Sequence, residues 1–304
     1  MDKLYSCKFI NNFDLVINGM INEECISFCC YDYVDKPLLK LVSDVETNVF
    51  NIVNLRNEII KKGLDNEGCK SCKYYSQIKT ENNNKIKFIN LSFYPSPCQC
   101  NCIYCDIKKN KNMMRVTDEM NEYYDLLFKT LDRLVEIGII DDDPLYQISC
   151  GEISIHPFKN KILSYIKDKR VIIYSNCMIY DNDISNILRE NKKAYINCSI
   201  DAGNSKLWEQ IKGNNKFDIV LNNIKKYSND SNVNNIYLKY IILTNINDDV
   251  KSFNDLIKIM KFLELEHLII SINYDSTNLV QDKKSCEKLK LILKNNNMTY
   301  EIGD

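Results

Sequence analysis

Long hydrophobic runs are absent from this 304-residue sequence. Its uninterrupted apolar stretches, such as residues 171–174, 240–243 and 268–270, are no longer than a β-strand. The first ten residues already contain charges and a cysteine, and no long apolar run follows them. A membrane-spanning helix needs about 20 consecutive apolar residues, so we expect neither a membrane span nor a secretory signal.

An excess of charge of one sign is also absent. The 40 basic side chains are nearly balanced by 41 acidic ones. Proteins that bind nucleic acid or an anionic membrane surface carry a basic footprint, so we expect neither partner. The length is sufficient for one large α/β domain and a small accessory domain.

Cysteine, in contrast, is abundant, with 14 residues in the chain. In a small secreted protein they would indicate a disulfide framework, but here they fall into groups with the spacing of metal ligands. Because no export signal is expected, the sequence predicts a protein of the reducing cytoplasm.

The densest cysteine group contains Cys98, Cys102 and Cys105, separated by three and then two residues. One loop can therefore present three thiolates to a single centre, and thiolates favour iron-sulfur clusters or zinc over hard cations. Because a closed site normally has four ligands, three clustered thiolates predict a centre with one open coordination position. Cys100 is an alternative fourth ligand. Its place two residues from both Cys98 and Cys102 predicts that its side chain does not point inward with theirs.

From Ile86 onward, short apolar runs alternate with amphipathic stretches of helix length, which predicts repeated βα units. Six units predict an α/β fold with a partial (β/α)6 TIM-like barrel over residues 86–304. A small cysteine-rich domain over residues 1–85 precedes it. The predicted strands are 88–93, 146–150, 171–175, 194–200, 236–243 and 268–273. The predicted helices of the barrel are 117–137, 158–167, 183–190, 217–227, 252–263 and 283–295.

The cluster loop, defined as residues 96–106, resembles that of the radical S-adenosylmethionine (SAM) enzymes. The resemblance includes the cysteine spacing, Tyr104 before the last cysteine and Asp106 after it. In that family three cysteines hold a 4Fe-4S cluster whose fourth iron binds SAM. The resemblance therefore implies that Cys98, Cys102 and Cys105 are the cluster ligands. A zinc site remains the alternative for this loop.

Residues after the next predicted strands also resemble the family's SAM-binding motifs, which lie at the carboxyl ends of barrel strands. Gly151 and Glu152 resemble a Gly-Gly-Glu motif in which Cys150 replaces the first glycine, and Cys177 stands at the glycine of a Thr-Asn-Gly motif. We interpret His156 as a packing or capping residue. The SAM contacts that the resemblance implies are Tyr104, Gly151, Glu152, Ser175, Asn176, Ser199, Asp201 and Lys239, with Asn245 and Asn247 as further pocket candidates.

The N-terminal region predicts a β-hairpin over residues 15–18 and 25–30 and a helix over residues 45–62. A lone cysteine, the hairpin, the helix and a Cys-x-x-Cys pair are similar in order to the auxiliary-cluster modules (SPASM or Twitch type) of radical SAM enzymes. Those modules usually follow the barrel, whereas this one precedes it. The implied ligands are Cys7, Cys29, Cys69 and Cys72, with Cys30 or Cys25 as replacements for Cys29. A structural zinc site with the same thiolates is the alternative.

The resemblance implies an enzyme that reductively cleaves SAM at a 4Fe-4S cluster. The resulting 5'-deoxyadenosyl radical abstracts hydrogen from a substrate. An external electron donor such as flavodoxin or ferredoxin is implied as a partner. A peptide or protein is the first substrate candidate, and a sugar or cell-surface precursor is the second. A non-catalytic zinc-binding structural or interaction protein is the competing hypothesis. No residue of the sequence identifies the substrate, and no catalytic residue is assigned.

Overall fold

The computed structural model describes residues 5–7, 14–18, 25–28, 39–62, 75–77, 85–92, 96–105, 119–149, 151–273 and 279–303. The chain divides into two compact units, each discontinuous in sequence. The first unit comprises residues 1–96, 112–151 and 157–171. The second unit comprises residues 97–111, 152–156 and 172–304. Within the described ranges, no helix combines the length and apolarity needed to cross a bilayer.

The described part of the first unit contains short strands near its beginning and two longer ones. They are β1 (Tyr5–Cys7), β2 (Asp14–Asn18), β3 (Cys25–Ser27), β4 (Leu39–Lys40), β5 (Tyr75–Gln77), β6 (Ile86–Ser92) and β7 (Ile140–Ile148). β2 and β3 form the predicted antiparallel hairpin. β2 also pairs in parallel with β6, and β6 pairs in parallel with β7. β1 and β5 form a separate antiparallel pair.

The described residues of the first unit include three helices, namely α1 (Val45–Lys62), α2 (Glu119–Glu136) and α3 (Lys159–Ile166). The bounds of α1 agree with the prediction. Buried Ile52 on α1 and Leu131 on α2 belong to the apolar core. The ion pairs at the surface, such as Arg133 Nε to Glu46 Oε1 at 2.7 Å, are exposed and contribute less than about 1 kcal/mol each. Apolar burial therefore holds these helices in place.

The second unit alternates strands and helices. Its strands, in the order in which they lie in the sheet, are β8 (Val171–Ser175), β9 (Ala194–Ser199), β10 (Ile236–Ile242), β11 (His267–Ile272) and β12 (Thr299–Ile302). The pairs from β9 to β12 are parallel. The helices between them are α4 (Asn182–Glu190), α5 (Ser205–Lys212), α6 (Phe217–Asp230), α7 (Val250–Leu263) and α8 (Leu279–Asn295). This alternation confirms the predicted α/β class.

The sheet of the second unit has one apolar and one partly polar face, as the two-residue period of strands requires. On β10, Leu238 and Tyr240 are buried, whereas Tyr237 and Lys239 are half-buried. The Tyr237 ring lies 5.2 Å from the ring of His267 on β11. Polar and aromatic side chains therefore line one face of this sheet.

Side-chain caps fix where the helices begin after the strands. Asp181 accepts from the backbone N–H groups of Asp183 and Ile184 at the start of α4. Asn204 and Asp249 cap α5 and α7 in the same way. Such caps each contribute about 1 kcal/mol, so the turns at the carboxyl ends of β8, β9 and β10 lead into helices at defined positions.

Candidate metal centre

The structure describes the cluster loop from Ser96 to Cys105. Cys98, Cys100, Cys102 and Cys105 are all half-buried. The backbone N–H of Cys105 donates to the carbonyl of Cys102 at 3.2 Å, so a single turn separates these two cysteines. The loop therefore offers sulfur ligands that are partly shielded from water.

Helix α5 supports the cluster loop through its carboxyl end. The N–H of Asn101 donates to the Lys212 carbonyl at 2.8 Å, and the N–H of Ile103 donates to the Ile211 carbonyl at 3.0 Å. The last carbonyls of a helix have no partner inside it. The loop satisfies two of them, and this fixes the backbone between the cysteines.

Gly213 ends α5 in the left-handed conformation, with φ of 68°. A Cβ at this position would lie 2.8 Å from Asn101 Cβ. We predict that Gly213→Ala costs about 1–2 kcal/mol for the backbone and also displaces the cluster loop. Gly138→Ala is the control, because its φ is also positive at 74° and nothing lies within 4 Å of its Cβ. Iron uptake, measured by visible absorbance, should fall in Gly213→Ala only; equal uptake in both variants would contradict this support role.

Cys100 lies with its neighbours, contrary to the prediction that it would not point inward. Its thiol is close enough to the thiols of Cys98 and Cys102 to shift their pKa values. Its Sγ also lies 3.3 Å from Met178 Sδ, and Asn214 Nδ2 donates to it at 3.7 Å. The reason is local, since the backbone bends at residue 99 and the short spacing no longer separates the side chains.

The interactions among these thiols shift their pKa values in opposite directions. The Cys100 thiol lowers the pKa of Cys98, and together with the Lys212 charge it lowers the pKa of Cys102 to about 6. The same interactions raise the pKa of Cys100, and the interaction with Cys102 has the larger effect. Thiolates are the metal-binding form of cysteine, so the lowered pKa values favour metal binding at Cys98 and Cys102.

A donor without a partner lies in the same loop. Gln99 Oε1 accepts from Asn176 Nδ2 at 3.2 Å, but the buried Gln99 Nε2 has no hydrogen-bond partner among the described residues. Asn176 Nδ2 also lies 3.5 Å from Cys98 Sγ. An iron-sulfur cluster brings acceptor sulfurs that such donors bind, so this donor set fits a cluster.

The ligands of a cluster need not converge on one ion. Within the described part of the chain, no three His, Cys, Asp or Glu side chains surround the position of a single metal ion. A cluster is held by one thiolate for each ligated iron. Cysteines that hold a cluster therefore do not need to share one metal position.

Glu152 is completely buried and its carboxylate is fully engaged. It accepts from Ser154, from the Ser175 hydroxyl at 3.0 and 3.1 Å, and from the Asn176 N–H at 2.7 Å. Its own N–H donates to the Pro97 carbonyl at 2.7 Å. Burial raises the pKa of Glu152 despite these donors. The residue therefore links the beginning of the cluster loop to the end of β8.

Three residues after strand ends have positive φ without being glycine. They are Cys177 after β8, Asp201 after β9 and Asn245 after β10, with φ of 55°, 46° and 64°. Such backbone costs energy and concentrates at functional sites. At Cys177 it also explains why a glycine suits the corresponding position of the motif that the sequence resembles.

Asp201 forms the centre of a buried polar group. Its Oδ2 accepts from the Tyr104 hydroxyl and from Lys212 Nζ, both at 2.5 Å, and its Oδ1 accepts from the Ile241 N–H at 2.7 Å. Burial by itself would lower the pKa of Lys212, but Asp201, Tyr104 and Cys102 together outweigh burial and the pKa is raised. Lys212 is therefore a buried cation.

Lys239 projects from β10 on the polar face of the sheet. Its ammonium lies 4.9 Å from the centre of the Tyr174 ring. Burial lowers the pKa of Lys239, and the nearby Asp201 opposes this shift. Ser199, on the neighbouring strand β9, pairs in register with Lys239. The two residues are adjacent and half-buried.

The structure thus brings together most of the predicted site residues of the second unit. Gly151 lies directly before Glu152 in the chain, with φ of 62°. His156 is buried, as its predicted packing role requires. Sequence reasoning missed Lys212, Met178, Gln99 and Asn214, because their roles depend on contacts between distant parts of the chain.

The predicted N-terminal ligands cannot be placed in the same way. Cys29, Cys69 and Cys72 lie outside the described residues, as does the alternative Cys30. Cys7 lies in β1 and Cys25 in β3, where only the backbone is described. The second centre stays a prediction.

Comparison with protein families gives one match, to the profile described as the Radical SAM superfamily, over residues 97–263. These residues are more than half of the chain and contain every cysteine of the described cluster loop. No curated protein matches the sequence.

Solved structures share the fold. Streptococcus suis SuiB bound to S-adenosylmethionine has a TM-score of 0.57 at 13% identity, covering 89% of this chain and 68% of that one. SuiB bound to the precursor peptide SuiA has a TM-score of 0.54 at 14% identity, covering 88% and 67%. A radical SAM methyltransferase from Sphaerobacter thermophilus has a TM-score of 0.53 at 12% identity, covering 70% and 64%. The predicted partial-barrel fold is confirmed.

Proposed function

This chain belongs to the radical SAM superfamily, and we propose that its 4Fe-4S cluster is held by Cys98, Cys102 and Cys105, with one iron left for SAM. Membership makes it an iron-sulfur enzyme that uses SAM. The observation that carries the ligand assignment is the loop itself, in which these cysteines are half-buried. The pairing of loop and α5 through two backbone hydrogen bonds supports it further.

Cluster and SAM, when bound, supply the one-electron chemistry that removes a hydrogen atom from substrate carbon. The chain's own residues hold, orient and shield them. Gln99 and Asn176 offer amide donors beside Cys98. Met178 lies against the loop, with its Sδ 3.3 Å from Cys100 Sγ.

We assign SAM binding to Tyr104, Gly151, Glu152, Ser175, Asn176, Ser199, Asp201 and Lys239, through direct contact or through positioning of the contacting residues. Glu152 and Asp201 are completely buried and already accept hydrogen bonds on both oxygens. They therefore act by orienting their neighbours, which are Asn176 for Glu152 and Tyr104 for Asp201. Ser199 and Lys239 are half-buried and suited to direct contact, with the Lys239 ammonium pairing with the SAM carboxylate.

The substrate class that we propose is a peptide or protein. Support comes from SuiB, which shares the fold and has been solved with a precursor peptide. An external electron donor of the flavodoxin or ferredoxin type delivers the electron. Gene neighbourhood is a direct test, because a short precursor-peptide gene beside this one supports the proposal and glycan genes argue against it.

We also propose that residues 1–85 form a SPASM-like module with a second cluster. Cys69 and Cys72 have the spacing of a chelating pair, and Cys7 with Cys29 completes four thiolates. In this proposal the module precedes the barrel of residues 86–304.

Iron content tests both clusters. Anaerobically reconstituted protein should be brown and contain about seven or eight irons for two clusters, or about four for one. The double variant Cys69→Ala/Cys72→Ala should lose about half of the iron and keep the rest. Unchanged iron content in this variant would contradict the second cluster. A colourless, zinc-loaded wild-type protein would contradict the proposed function.

A further inference from the structure

Lys212, the last residue of α5, has a burial unusual for its type. It is 1% exposed, and it is among the largest fully buried side chains described. A lysine is almost never fully buried unless its charge is paired. A cation near the carboxyl end of a helix is favourable, but such a lysine is ordinarily exposed to water.

The side-chain hydrogen bonds of Lys212 connect it to the cluster loop, directly through Tyr104 and indirectly through Asp201. Its Nζ donates to the Tyr104 hydroxyl at 2.8 Å and to Asp201 Oδ2 at 2.5 Å. Tyr104 is the residue before Cys105, and its hydroxyl donates to the same Asp201 oxygen at 2.5 Å. The ammonium thus reaches the loop through a side chain adjacent to a proposed cluster ligand.

The backbone of Lys212 holds the same loop. Its carbonyl accepts from the Asn101 N–H, one residue before Cys102, and the carbonyl of Ile211 accepts from Ile103. Asn101, Ile103 and Tyr104 of the loop are therefore all tied to the end of one helix. The side chain has only limited freedom, because Nζ also lies 5.6 Å from the ring centre of buried Trp208. The positive charge is held in a fixed place.

A fixed charge near an iron-sulfur cluster changes how readily the cluster accepts an electron. Hydrogen bonds, net charge and solvent exposure around a cluster set its reduction potential. A buried charge acts strongly because little water screens it. Asp201 balances Lys212 in part, but this carboxylate also accepts from the Ile241 N–H, a donor that disperses its charge away from the loop.

We propose that Lys212 is a positioning residue that holds the cluster loop on α5 and whose buried positive charge raises the reduction potential of the cluster. The inference rests on the proposed cluster at Cys98, Cys102 and Cys105. A higher potential makes reduction by an external donor easier. The negative charge of Asp201 opposes this effect and limits how far the potential rises.

The test is the midpoint potential of the reconstituted cluster, followed by electron paramagnetic resonance (EPR) in a redox titration without substrate. Lys212→Met has nearly the same length and no charge, so its potential should shift to more negative values. Lys212→Arg keeps the charge and should stay closer to wild type. In Lys212→Met/Asp201→Asn both charges are gone, and the potential should return toward the wild-type value.

Asp201→Asn alone gives an independent measurement if Lys212→Met does not take up a cluster. It removes the negative charge that partly cancels the charge of Lys212, so the reduction potential should shift to more positive values. Unchanged potentials in Lys212→Met or in Asp201→Asn, with the cluster intact, would overturn the inference while the proposed function stands. A wild-type protein that takes up no cluster would overturn both.

Discussion

Cys98→Ala, Cys102→Ala and Cys105→Ala are each expected to abolish SAM cleavage, with methionine formation falling to the level without enzyme. The reason is that a three-thiolate cluster has no spare ligand, so the loss of one thiolate removes the centre that supplies the electron. The measurement is methionine release from SAM under anaerobic reducing conditions, together with the iron content of each variant.

Two control variants separate ligand loss from the loss of any cysteine. Cys198→Ala on β9 and Cys286→Ala on α8 remove buried cysteines outside the loop, and both should keep the cluster. Cys100→Ala should keep it as well, because Cys100 is not among the three proposed ligands. SAM cleavage that persists in any of the three ligand variants would refute the assignment.

Lys212→Met is expected to lower the free energy of unfolding by about 3–5 kcal/mol, because it leaves the buried Asp201 carboxylate without its ion-pair partner. Both side chains are nearly inaccessible to water, at 2% and 0% exposure. A loss of this size is a large part of the 5–15 kcal/mol that stabilises a typical domain. Urea denaturation of the cluster-free protein gives the value directly.

A surface pair provides the matched control. Lys258 and Asp255 form an ion pair at 2.8 Å in which the lysine is 75% exposed. Lys258→Met should therefore cost less than about 1 kcal/mol. The double variant Lys212→Met/Asp201→Asn should be less destabilised than Lys212→Met, since no buried charge is left unpaired. A cost of Lys212→Met no greater than that of Lys258→Met would show that the buried pair is not structurally important.

Regular elements with a clear apolar period could be predicted from the sequence. The helix over residues 45–62 and the strand over residues 171–175 have the predicted bounds. In both cases the hydrophobic pattern and its boundaries agree with the final packing.

Elements without such a pattern were missed. β7 begins at Ile140 rather than at residue 146, because three consecutive acids and Pro144 argue against a strand. The prediction ended without β12, which is short and pairs with β11 alone. The prediction of six βα units therefore lacks the strand β12 and also the helix α5.

The cysteine loop could be predicted because its cysteines are close together in the sequence. Lys212 could not, because Lys212 lies 108 residues from Tyr104, and nothing local indicates that its charge is buried. For Cys100 the spacing alone was misleading, since a bend at residue 99 changes the direction of the side chain. The spacing of the cysteines thus identifies the loop, whereas the contact of Lys212 with the loop is visible only in the folded structure.

The most direct test of the central claim is the EPR spectrum of the reduced, reconstituted protein before and after addition of SAM. A cluster with an open iron binds SAM through that iron, so the spectrum should change on addition of SAM. It should remain unchanged when the same volume of buffer without SAM is added. A cluster whose spectrum does not respond to SAM, or a protein with no cluster signal, would contradict three-thiolate ligation by Cys98, Cys102 and Cys105.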